Sequence, residues 1–500
     1  MRYKHVIWDF DGTLFDTYPV MASAAAKTFM EAGLTEPKAE IMALMKISIG
    51  HAFDFYRKKH NLNEEFFDRL IKLSKAMEAE EAQLFDGAAD VCRHVCEAGG
   101  YNYLFTHRGG TTPYFMEKFG LSQYFTQYVT SKDNFAKKPD PEGILHLIKR
   151  HNIPHESAIM IGDRDIDILS AKNAGIHGCF FDVSSATFKE ANYNICHLSE
   201  LNGILGLEDG LVQRNFMDIT PIDLGWSGDK KLCATDTAGI RYFLRVSDIK
   251  HYNNRKTLFE HMQKVSKLDI PMCLPLEFGL CTDGVYALHS WIDGKDLQTV
   301  LPSLPESKQY ALGRQAGEIL RQIHTVPAPS GLEDWAIRFS HKLDARITNY
   351  RDCGLSFEND RIVIDFLAQN RCLLKGRPQN FQHGDYHIGN MMLEDGELRI
   401  IDFDRYDFGD PWEEFNRTSF SAAISPHFAT GQLNGYFGGR PPMDFFRLMA
   451  FYIAANLVAS LPWAATFGQQ QVDYMLKRIG EELEWFDNMQ NPVPTWYLVN

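Results

Sequence analysis

Positive charge is scarce in this sequence, and CxxC pairs of cysteines are missing. Its 51 lysines and arginines face 65 aspartates and glutamates, which gives a formal net charge of −14. An acidic chain of this kind argues against a nucleic-acid partner and leaves neutral or cationic substrates open. The nine cysteines form no CxxC pair, so the sequence predicts neither a disulfide framework nor a zinc site. We therefore expect a reducing, cytoplasmic setting.

Long uninterrupted apolar runs are also absent. The chain starts MRYKHVIWDFDG, which predicts a strand rather than a leader, so we expect no signal peptide. The longest apolar stretch, residues 445–467, contains Arg447, Asn456 and Pro462, and there we expect a buried helix and no membrane partner. With 500 residues, 45% hydrophobic and 23% charged, the composition predicts a globular protein of two or three domains.

Two acids follow the first predicted strand. Residues 5–8 (HVIW) run into Asp9-Phe10-Asp11-Gly12-Thr13, which places both carboxylates at the carboxyl edge of a sheet, where open α/β folds bind ligands. Further parts follow in order, each after a predicted strand or turn: Thr106, Lys138 of KKPDP, Asp163 of IMIGD, and Asp167. Together these parts resemble the haloacid dehalogenase superfamily, which implies an α/β, Rossmann-like domain.

The resemblance implies a phosphatase with a covalent intermediate. Asp9 would attack a small phosphomonoester to form an aspartyl-phosphate, and Asp11 would act as general acid and then base. Thr106 and Lys138 would hold the phosphoryl oxygens. Lys138 is preferred to Lys137 because it directly precedes a proline.

The resemblance also implies Mg²⁺, bound by Asp9, the backbone carbonyl of Asp11 and Asp163, with Asp167 orienting these ligands. Residues 18–84 have a helical pattern and would form the helical cap of this superfamily. A phosphomutase is the nearest rival, but residues 16–19 (DTYP) supply no histidine at the cap hinge, which favours hydrolysis.

Three basic side chains of this first region have open roles. Arg108, two residues after Thr106, could meet an anion of the substrate or pair at the surface. His51 and Arg57 of the cap could also contact substrate, and we favour a surface role for both.

A second group of chemical residues lies between residues 381 and 410. His383-Gly384-Asp385 is followed by Asn390 and, after two predicted strands, by Asp402-Phe403-Asp404. Phosphoryl transfer from a nucleotide needs one carboxylate near the acceptor hydroxyl, plus an amide and a second carboxylate for magnesium. The alternative is a hairpin in which Asp and Asn only serve as turn residues.

This segment resembles the aminoglycoside phosphotransferase family, whose fold is like that of protein kinases. The resemblance implies that Asp385 is catalytic, that Asn390 and Asp402 bind Mg²⁺, and that ATP or GTP is the cofactor. Where the family's small lobe supplies lysine, this sequence has Arg245, which keeps the charge with a different geometry. Glu260, on a helix predicted at 255–268, is expected to pair with such a phosphate-binding cation.

The remaining signals of this region are weaker. Residues 225–230 (GWSGDK) predict a Gly-containing hairpin over the phosphates, and residues 286–294 the adenine-binding connector. We favour structural roles for His324 and His387. Four acids could meet a cationic acceptor, although a solvated face is favoured for each: Glu413, Glu414, Glu482 and Glu484.

The sequence thus predicts an α/β Rossmann-like phosphatase domain with a helical cap at residues 1–206 and a linker at 207–214. An α+β, protein-kinase-like domain of two lobes follows at 215–500, with the small lobe at 215–295 and the large lobe at 296–500. The substrates expected are a small phosphomonoester and a small hydroxyl acceptor, possibly cationic. The alternative is that one domain is a non-catalytic module that senses nucleotide or phosphate. Because Arg245 departs from the family pattern, this alternative applies more to the second domain than to the first.

Overall fold

A parallel sheet of six strands forms the centre of the first domain in the computed structural model, which describes residues 1–222 and 228–499. Val6 and Trp8 belong to one core cluster and Ile7 to another, so both faces of the sheet are covered, as a parallel sheet requires. Across the sheet the strands lie in the order Phe125–Val129, Tyr101–Phe105, His5–Trp8, Ala158–Gly162, His177–Phe181 and Tyr193–Ile195. The helices are Ala88–Glu97, Thr112–Lys118, Glu142–His151, Asp165–Asn173 and Leu201–Leu205.

A helical cap is inserted after the first strand, which confirms that part of the predicted fold. A two-stranded antiparallel ribbon, Phe15–Asp16 with Gln83–Leu84, forms its base. The cap has a core of its own, in which Phe29, Tyr56 and Phe66 pack together. Its four helices are Tyr18–Glu31, Lys38–Ile47, Ile49–His60 and Glu64–Glu81.

The second domain begins with an antiparallel sheet of five strands and the helix Tyr252–Ser266, here called the small-lobe helix. Residues 225–227 of the predicted Gly-containing hairpin lie outside the described residues. Across the sheet the strands lie in the order Pro275–Cys281, Gly284–Ser290, Arg241–Ser247, Lys230–Thr235 and Asp218–Pro221.

The large lobe is mainly helical, so the second domain has the predicted α+β organisation. Its helices are Leu297–Val300, Glu306–Ile323, Trp335–Asp352, Asp360–Asn370, Thr418–Ala422, Pro426–Phe437, Met443–Ala465 and Gln469–Trp485. Its short strands are Lys295–Asp296, Asn380–Gln382, Met391–Glu394, Glu397–Ile400 and Asp407–Gly409. Among the described residues only Met443–Ala465 is long and apolar enough to cross a membrane, and 78% of its most apolar window is buried inside the protein. This matches the buried helix expected at residues 445–467.

Two helices of the large lobe pack at backbone distance. A Cβ added at Gly313 or Gly317, on Glu306–Ile323, would lie 2.0 Å from a carbonyl oxygen of the helix Pro426–Phe437. A Cβ added at Gly431 or Gly435, on the second helix, would lie 2.3 or 2.1 Å from a carbonyl oxygen of the first. Contacts this close leave room only for glycine on both helices.

The small-lobe helix also contacts the first domain. The Asn194 N–H donates to Asn253 Oδ1 at 2.9 Å, and Lys256 Nζ lies 2.5 Å from Glu200 Oε2. Tyr252 is buried in the same core cluster as Leu201 of the first domain. The two parts of the chain therefore share apolar as well as polar contacts.

The predicted linker at 207–214 is partly structured. It holds a short helix, Gly210–Gln213, with Asp209 as its N-cap residue. Asp209 Oδ2 also accepts hydrogen bonds from the backbone and hydroxyl of Thr282, at 2.8 and 2.6 Å. The domain boundary itself stays a prediction.

Candidate active sites

The first site is built at the carboxyl ends of three neighbouring strands. Asp9 follows His5–Trp8 and is buried, and its N–H donates to the Ile161 carbonyl at 2.9 Å. Gly12 has a φ of +82°, and a Cβ there would lie 2.3 Å from Asp163 Oδ2, so this turn accepts only glycine. The D-x-D-G turn thereby allows Asp163 to approach Asp9 from the next strand.

Lys138 joins two carboxylates in the interior. Its Nζ lies 2.6 Å from Asp9 Oδ1 and 2.7 Å from Asp167 Oδ1, and its side chain is fully buried. Burial opposes the charge of this amine, but the two carboxylates outweigh that effect and raise the pKa of Lys138. Lys137, the other candidate, is exposed.

Three carboxylates form a cluster that suits a divalent cation. Oxygens of Asp9, Asp163 and Asp167 lie within 4.8 Å of one another, and Asp9 Oδ2 is buried without a hydrogen-bond partner. Burial raises the pKa of Asp9 to about 6, against the opposing charge of Lys138, and burial also raises the pKa of Asp163. Hard oxygen donors with an unsatisfied buried oxygen fit Mg²⁺.

Asp167 and Asp11 each have hydrogen-bond partners of their own. Asp167 Oδ2 accepts the N–H of Arg164 at 3.1 Å, so its carboxylate links Lys138 to the chain beyond the strand. The Asp11 carboxylate accepts hydrogen bonds from Thr17 Oγ1 at 2.8 Å and from Arg108 Nη1 at 2.7 Å. The role of the Asp11 backbone carbonyl as a metal ligand stays a prediction.

Arg108 connects the core of the domain to the cap. Its guanidinium lies between the rings of Phe10 and Phe115, at 4.9 and 4.8 Å from their centroids. It pairs with Asp11 and with Glu78 of the cap helix Glu64–Glu81, and only 8% of its side chain is exposed. Of the two roles left open for Arg108, pairing at the surface is therefore wrong.

Thr106 and the cap complete a cavity of about 590 Å³. Thr106 is buried at the end of Tyr101–Phe105, and its Oγ1 accepts the N–H of Arg108 at 3.1 Å. The cavity wall includes Asp9, Asp11, Thr106 and Lys138 from the core and Tyr18 and Glu78 from the cap. His51 is exposed and Arg57 pairs with Asp54 and Glu64, which agrees with the surface roles favoured for both.

The second site depends on a tightly held loop. Gly384 has a φ of +84°, and a Cβ there would lie 1.8 Å from the Arg405 carbonyl oxygen, which explains the glycine of H-G-D. The buried carboxylate of Glu414 accepts the N–H groups of His383 at 2.7 Å and Gly384 at 2.6 Å. His383 Nε2 donates to the Ile401 carbonyl at 2.9 Å, so this loop is tied to the chain just before Asp402.

Basic groups surround Asp385. Arg417 Nε lies 3.2 Å, His387 Nε2 3.6 Å and Arg405 Nε 3.8 Å from its carboxylate oxygens. Burial acts to raise the pKa of Asp385, but the hydrogen bond of His387 and the charges of both arginines outweigh it and hold that pKa well below its ordinary value. Asp385 is therefore ionised at neutral pH.

The two predicted metal ligands of this domain lie beside the same loop. Asn390 Nδ2 donates to the Asp385 carbonyl at 2.8 Å, and the Ile401 N–H donates to the Asn390 carbonyl at 3.1 Å. Asp402 has a φ of +63°, and its Oδ1 is buried without a hydrogen-bond partner. A buried carboxylate oxygen without a hydrogen-bond partner fits Mg²⁺.

A cavity of about 270 Å³ lies between the two lobes. Its walls are largely apolar and include Phe259, Met262, Ala287, Trp291, Ile292 and Met392. Charged groups line it as well: Lys231, Arg245, Arg255, Asp402 and Asp404. An apolar cavity with a few charged groups suits a nucleotide, with base and phosphates in different surroundings.

The prediction that Glu260 pairs with Arg245 is wrong. Arg245 contacts Asp404, and its Nε lies 3.2 Å from Asp229 Oδ2. Glu260 is exposed and lines a crevice against the first domain. The helical residue that reaches Arg245's two acids is Arg255, because residues five apart on a helix point in directions about 140° apart.

Three of the four acids expected at a solvated face are buried. Glu414 holds the loop of His383 and Gly384, Glu413 Oε1 lies 3.6 Å from Lys342 Nζ, and Glu482 pairs with Arg478. Glu484 alone is exposed.

His324 is buried, with Nδ1 2.9 Å from the hydroxyl of Tyr436, in agreement with the structural role favoured for it. Sequence reasoning missed the roles of Glu78, Glu414 and Arg255. For Glu78 and Arg255 a signal existed, since each is a charged residue on the apolar stripe of its helix.

Comparison with known proteins finds relatives for both parts of the chain. Residues 6–181 match the model of the haloacid dehalogenase-like hydrolases, and residues 218–446 match that of the phosphotransferase enzyme family. A phosphoglycolate phosphatase of Vibrio cholerae is 27% identical over 195 residues, covering 35% of this chain and 82% of that protein. One of Agrobacterium fabrum is 29% identical over 181 residues, covering 34% and 76%. A solved hydrolase structure from Streptococcus pneumoniae covers 41% of this chain and 100% of its own, with 28% identity and a TM-score of 0.32.

The chain joins a domain of the haloacid dehalogenase-like hydrolase family to a domain of the phosphotransferase enzyme family. It is an enzyme, with a phosphatase-type first domain and a phosphotransferase-type second domain.

Proposed function

We propose that the chain is a bifunctional, magnesium-dependent enzyme with its domains at residues 1–206 and 215–500. The first domain hydrolyses small phosphomonoesters, and the second transfers a phosphoryl group from ATP or GTP to a small-molecule hydroxyl. The observation that carries the first activity is the buried Asp9, with one carboxylate oxygen held by Lys138 and the other unpartnered. All nine cysteines are free thiols, which supports a reducing cytoplasm.

Asp9 is the nucleophile in this proposal. It attacks phosphorus, the ester P–O bond breaks, and Asp11 gives its proton to the leaving alkoxide. Asp11 then takes a proton from the water that hydrolyses the aspartyl-phosphate. Lys138 and Thr106 stabilise the phosphoryl oxygens, and Mg²⁺ held by Asp9, Asp163 and the Asp11 carbonyl would screen the repulsion between the two anions.

Phosphoglycolate is the first substrate to test, because the relatives named above are phosphoglycolate phosphatases. The cavity supports a substrate with a second acidic group. Its wall contains the cations Lys75, Arg108 and Arg164 in addition to Lys138. A carboxylate next to the phosphate would then find a basic partner away from Asp9.

Asp385 is the proposed catalytic residue of the second domain. Its ionised carboxylate would align the acceptor hydroxyl and take its proton as the phosphoryl group is transferred. Asn390 and Asp402 would hold Mg²⁺, which neutralises the nucleotide phosphates. The apolar cavity between the lobes would take the base, and Arg245 would contact the phosphates.

The charges around Asp385 favour an acceptor with an acidic group over a cationic one. Arg405 is half exposed and Arg417 partly exposed, and both face the carboxylate. Of the four acids considered for a cationic acceptor, three are buried and engaged elsewhere. A hydroxy acid or a phosphorylated alcohol would meet attraction at this position, whereas an aminoglycoside or an amino alcohol would meet repulsion.

The test compares three variants with the wild-type chain. Asp9→Asn should abolish magnesium-dependent phosphate release and leave ADP formation intact. Asp385→Asn should lower ADP formation at least about a hundredfold with nearly unchanged nucleotide affinity, since general-base removal costs about 10²–10⁴-fold. Asp402→Asn should weaken nucleotide affinity as well. Hydroxy acids, phosphorylated alcohols and amino alcohols serve as acceptors in parallel.

Two results would contradict the proposal. Near-wild-type phosphate release by Asp9→Asn would show that Asp9 is not the nucleophile. Loss of both activities in a folded Asp385→Asn variant would mean that the two sites are coupled or shared. Nucleotide-dependent heat stabilisation without ADP formation from any acceptor would instead identify the second domain as a sensing module.

A further inference from the structure

Four charged side chains form a closed group at the cavity between the lobes. Arg245 and Arg255 each contact both Asp229 and Asp404. Arg245 Nε lies 3.2 Å from Asp229 Oδ2, and Arg255 Nη1 lies 3.1 Å from Asp404 Oδ1. No more than 20% of any of these side chains is exposed. This group is here called the charge ring.

Helix geometry accounts for the presence of Arg255 in the ring. Arg255 precedes Leu258, Phe259 and Met262 by three, four and seven residues, so it shares their face of the small-lobe helix. All four residues line the cavity. An arginine on an otherwise apolar face is costly to bury unless an anion accompanies it. Here the anions are the two carboxylates of the ring.

The charge ring differs from an ordinary structural ion pair because it lies at the wall of a cavity. Both arginines and Asp404 line the same cavity as Asp402, the proposed metal ligand. Guanidinium groups bind carboxylate and phosphate oxygens with the same forked geometry. A polyphosphate chain can therefore bind the forks of both arginines as the two carboxylates do, and a magnesium ion bound with it would offset the negative charge of the carboxylates that it releases.

We propose that Arg255 is a second nucleotide-phosphate-binding residue, acting with Arg245. In this arrangement the carboxylates of Asp229 and Asp404 hold the two guanidiniums in place until the polyphosphate of a nucleotide takes them over. The helix thus supplies a cation where an acid was expected. The inference rests on the proposed kinase function and extends it to a specific residue.

The experiment measures binding to the full chain rather than turnover. The probes are MgATP with adenosine and MgGTP with guanosine, by calorimetry. Arg255→Gln should raise the Kd of the triphosphate about ten- to a hundredfold, the usual range for a hydrogen-bonded charge, and leave the Kd of the nucleoside within about twofold. Arg255→Lys, which keeps the charge and loses the fork, should fall between. Lys264→Gln removes an exposed charge from the same helix and should change neither constant.

Two outcomes would overturn the inference and leave the kinase proposal standing. One is an unchanged triphosphate Kd in Arg255→Gln. The other is an equal loss of nucleoside and triphosphate affinity in Arg255→Lys, which would mark Arg255 as structural. Urea unfolding by tryptophan fluorescence reports whether each variant is folded. A wild-type chain that binds neither nucleoside nor triphosphate would refute the kinase proposal and this inference together.

Discussion

Glu414→Gln tests how the loop of His383, Gly384 and Asp385 is held in the second domain. The carboxylate accepts two backbone N–H groups, at 2.6 and 2.7 Å. The two N–H groups bind different carboxylate oxygens, so in glutamine an NH₂ group would replace one acceptor and face a donor. Losing one charge-assisted bond costs about 1.5–3 kcal/mol, and making the other neutral costs about 1 kcal/mol more. Relief of carboxylate burial offsets part of this cost, so the second domain should lose roughly 2–4 kcal/mol of stability.

Tryptophan fluorescence isolates this domain in the full chain. Trp8 is the one tryptophan before residue 222, and the other seven of the eight follow it. Urea unfolding should show a lower midpoint for Glu414→Gln with an unchanged slope. The matched control is Glu484→Gln, which neutralises an exposed acid of the same lobe and should shift the free energy of unfolding by less than about 0.5 kcal/mol.

The same variant should affect chemistry in one domain only. A displacement of the loop by about 1 Å costs on the order of a hundredfold in rate, so ADP formation should fall by that order while phosphate release is unchanged. A Glu414→Gln midpoint equal to that of the Glu484→Gln control would refute the role assigned to Glu414.

Further predictions concern packing, pH and the cap. Gly317→Ala should destabilise the second domain by about 2 kcal/mol, because overpacking against backbone outweighs better helix propensity. Gly480→Ala, at a helical position with open space around it, should stabilise the domain by about 0.5–1 kcal/mol. The midpoints of urea unfolding measure both effects. Burial raises the pKa of Glu482 to about 7. The stability that its protonated carboxyl contributes is therefore complete below about pH 4.5 and is lost as the pH rises through 7. Urea titration should show a loss of about 2–3 kcal/mol between pH 5 and 8 in the wild-type chain, and Glu482→Gln should abolish it. Glu78→Ala should lower phosphate release from p-nitrophenyl phosphate at least about tenfold, because Arg108 loses a buried partner, and Glu80→Ala, exposed on the same helix, should not.

The motifs at strand ends could be predicted because their geometry is local. A buried strand followed by D-x-D-G fixes where Asp9 and Asp11 lie, whatever the rest of the chain does. The H-G-D-x4-N spacing likewise holds Asp385 and Asn390 on one loop. For these residues the predicted positions and the observed ones agree, while their catalytic roles stay predictions.

Helical side chains were harder to place, because a helix presents its residues in all directions and tertiary packing decides which face is buried. Glu260 lies opposite the stripe of Leu258, Met262 and Val265, and counting from that stripe places it outside the cavity. The prediction that Glu260 pairs with Arg245 relied on its charge and did not consider the direction in which its side chain leaves the helix. The same count places Arg255 inside.

Buried acids were hidden from sequence reasoning for a different reason. Glu414 binds a loop thirty residues earlier in the chain, and Glu78 binds Arg108 from across the cap. A charged residue is assigned to a surface by default, and only a partner distant in sequence can overturn that assignment. The pairing of such residues is therefore a property of the fold.

The small-lobe helix has consequences for genetics. One of its faces carries Arg255 toward the cavity between the lobes, and another holds Asn253 and Lys256 against the last strand and turn of the first domain. A missense change near Asn194 or Glu200 thus alters the support of a helix that serves the other active site. In a screen of random variants, such changes would be scored as kinase defects although they map to the phosphatase half of the gene.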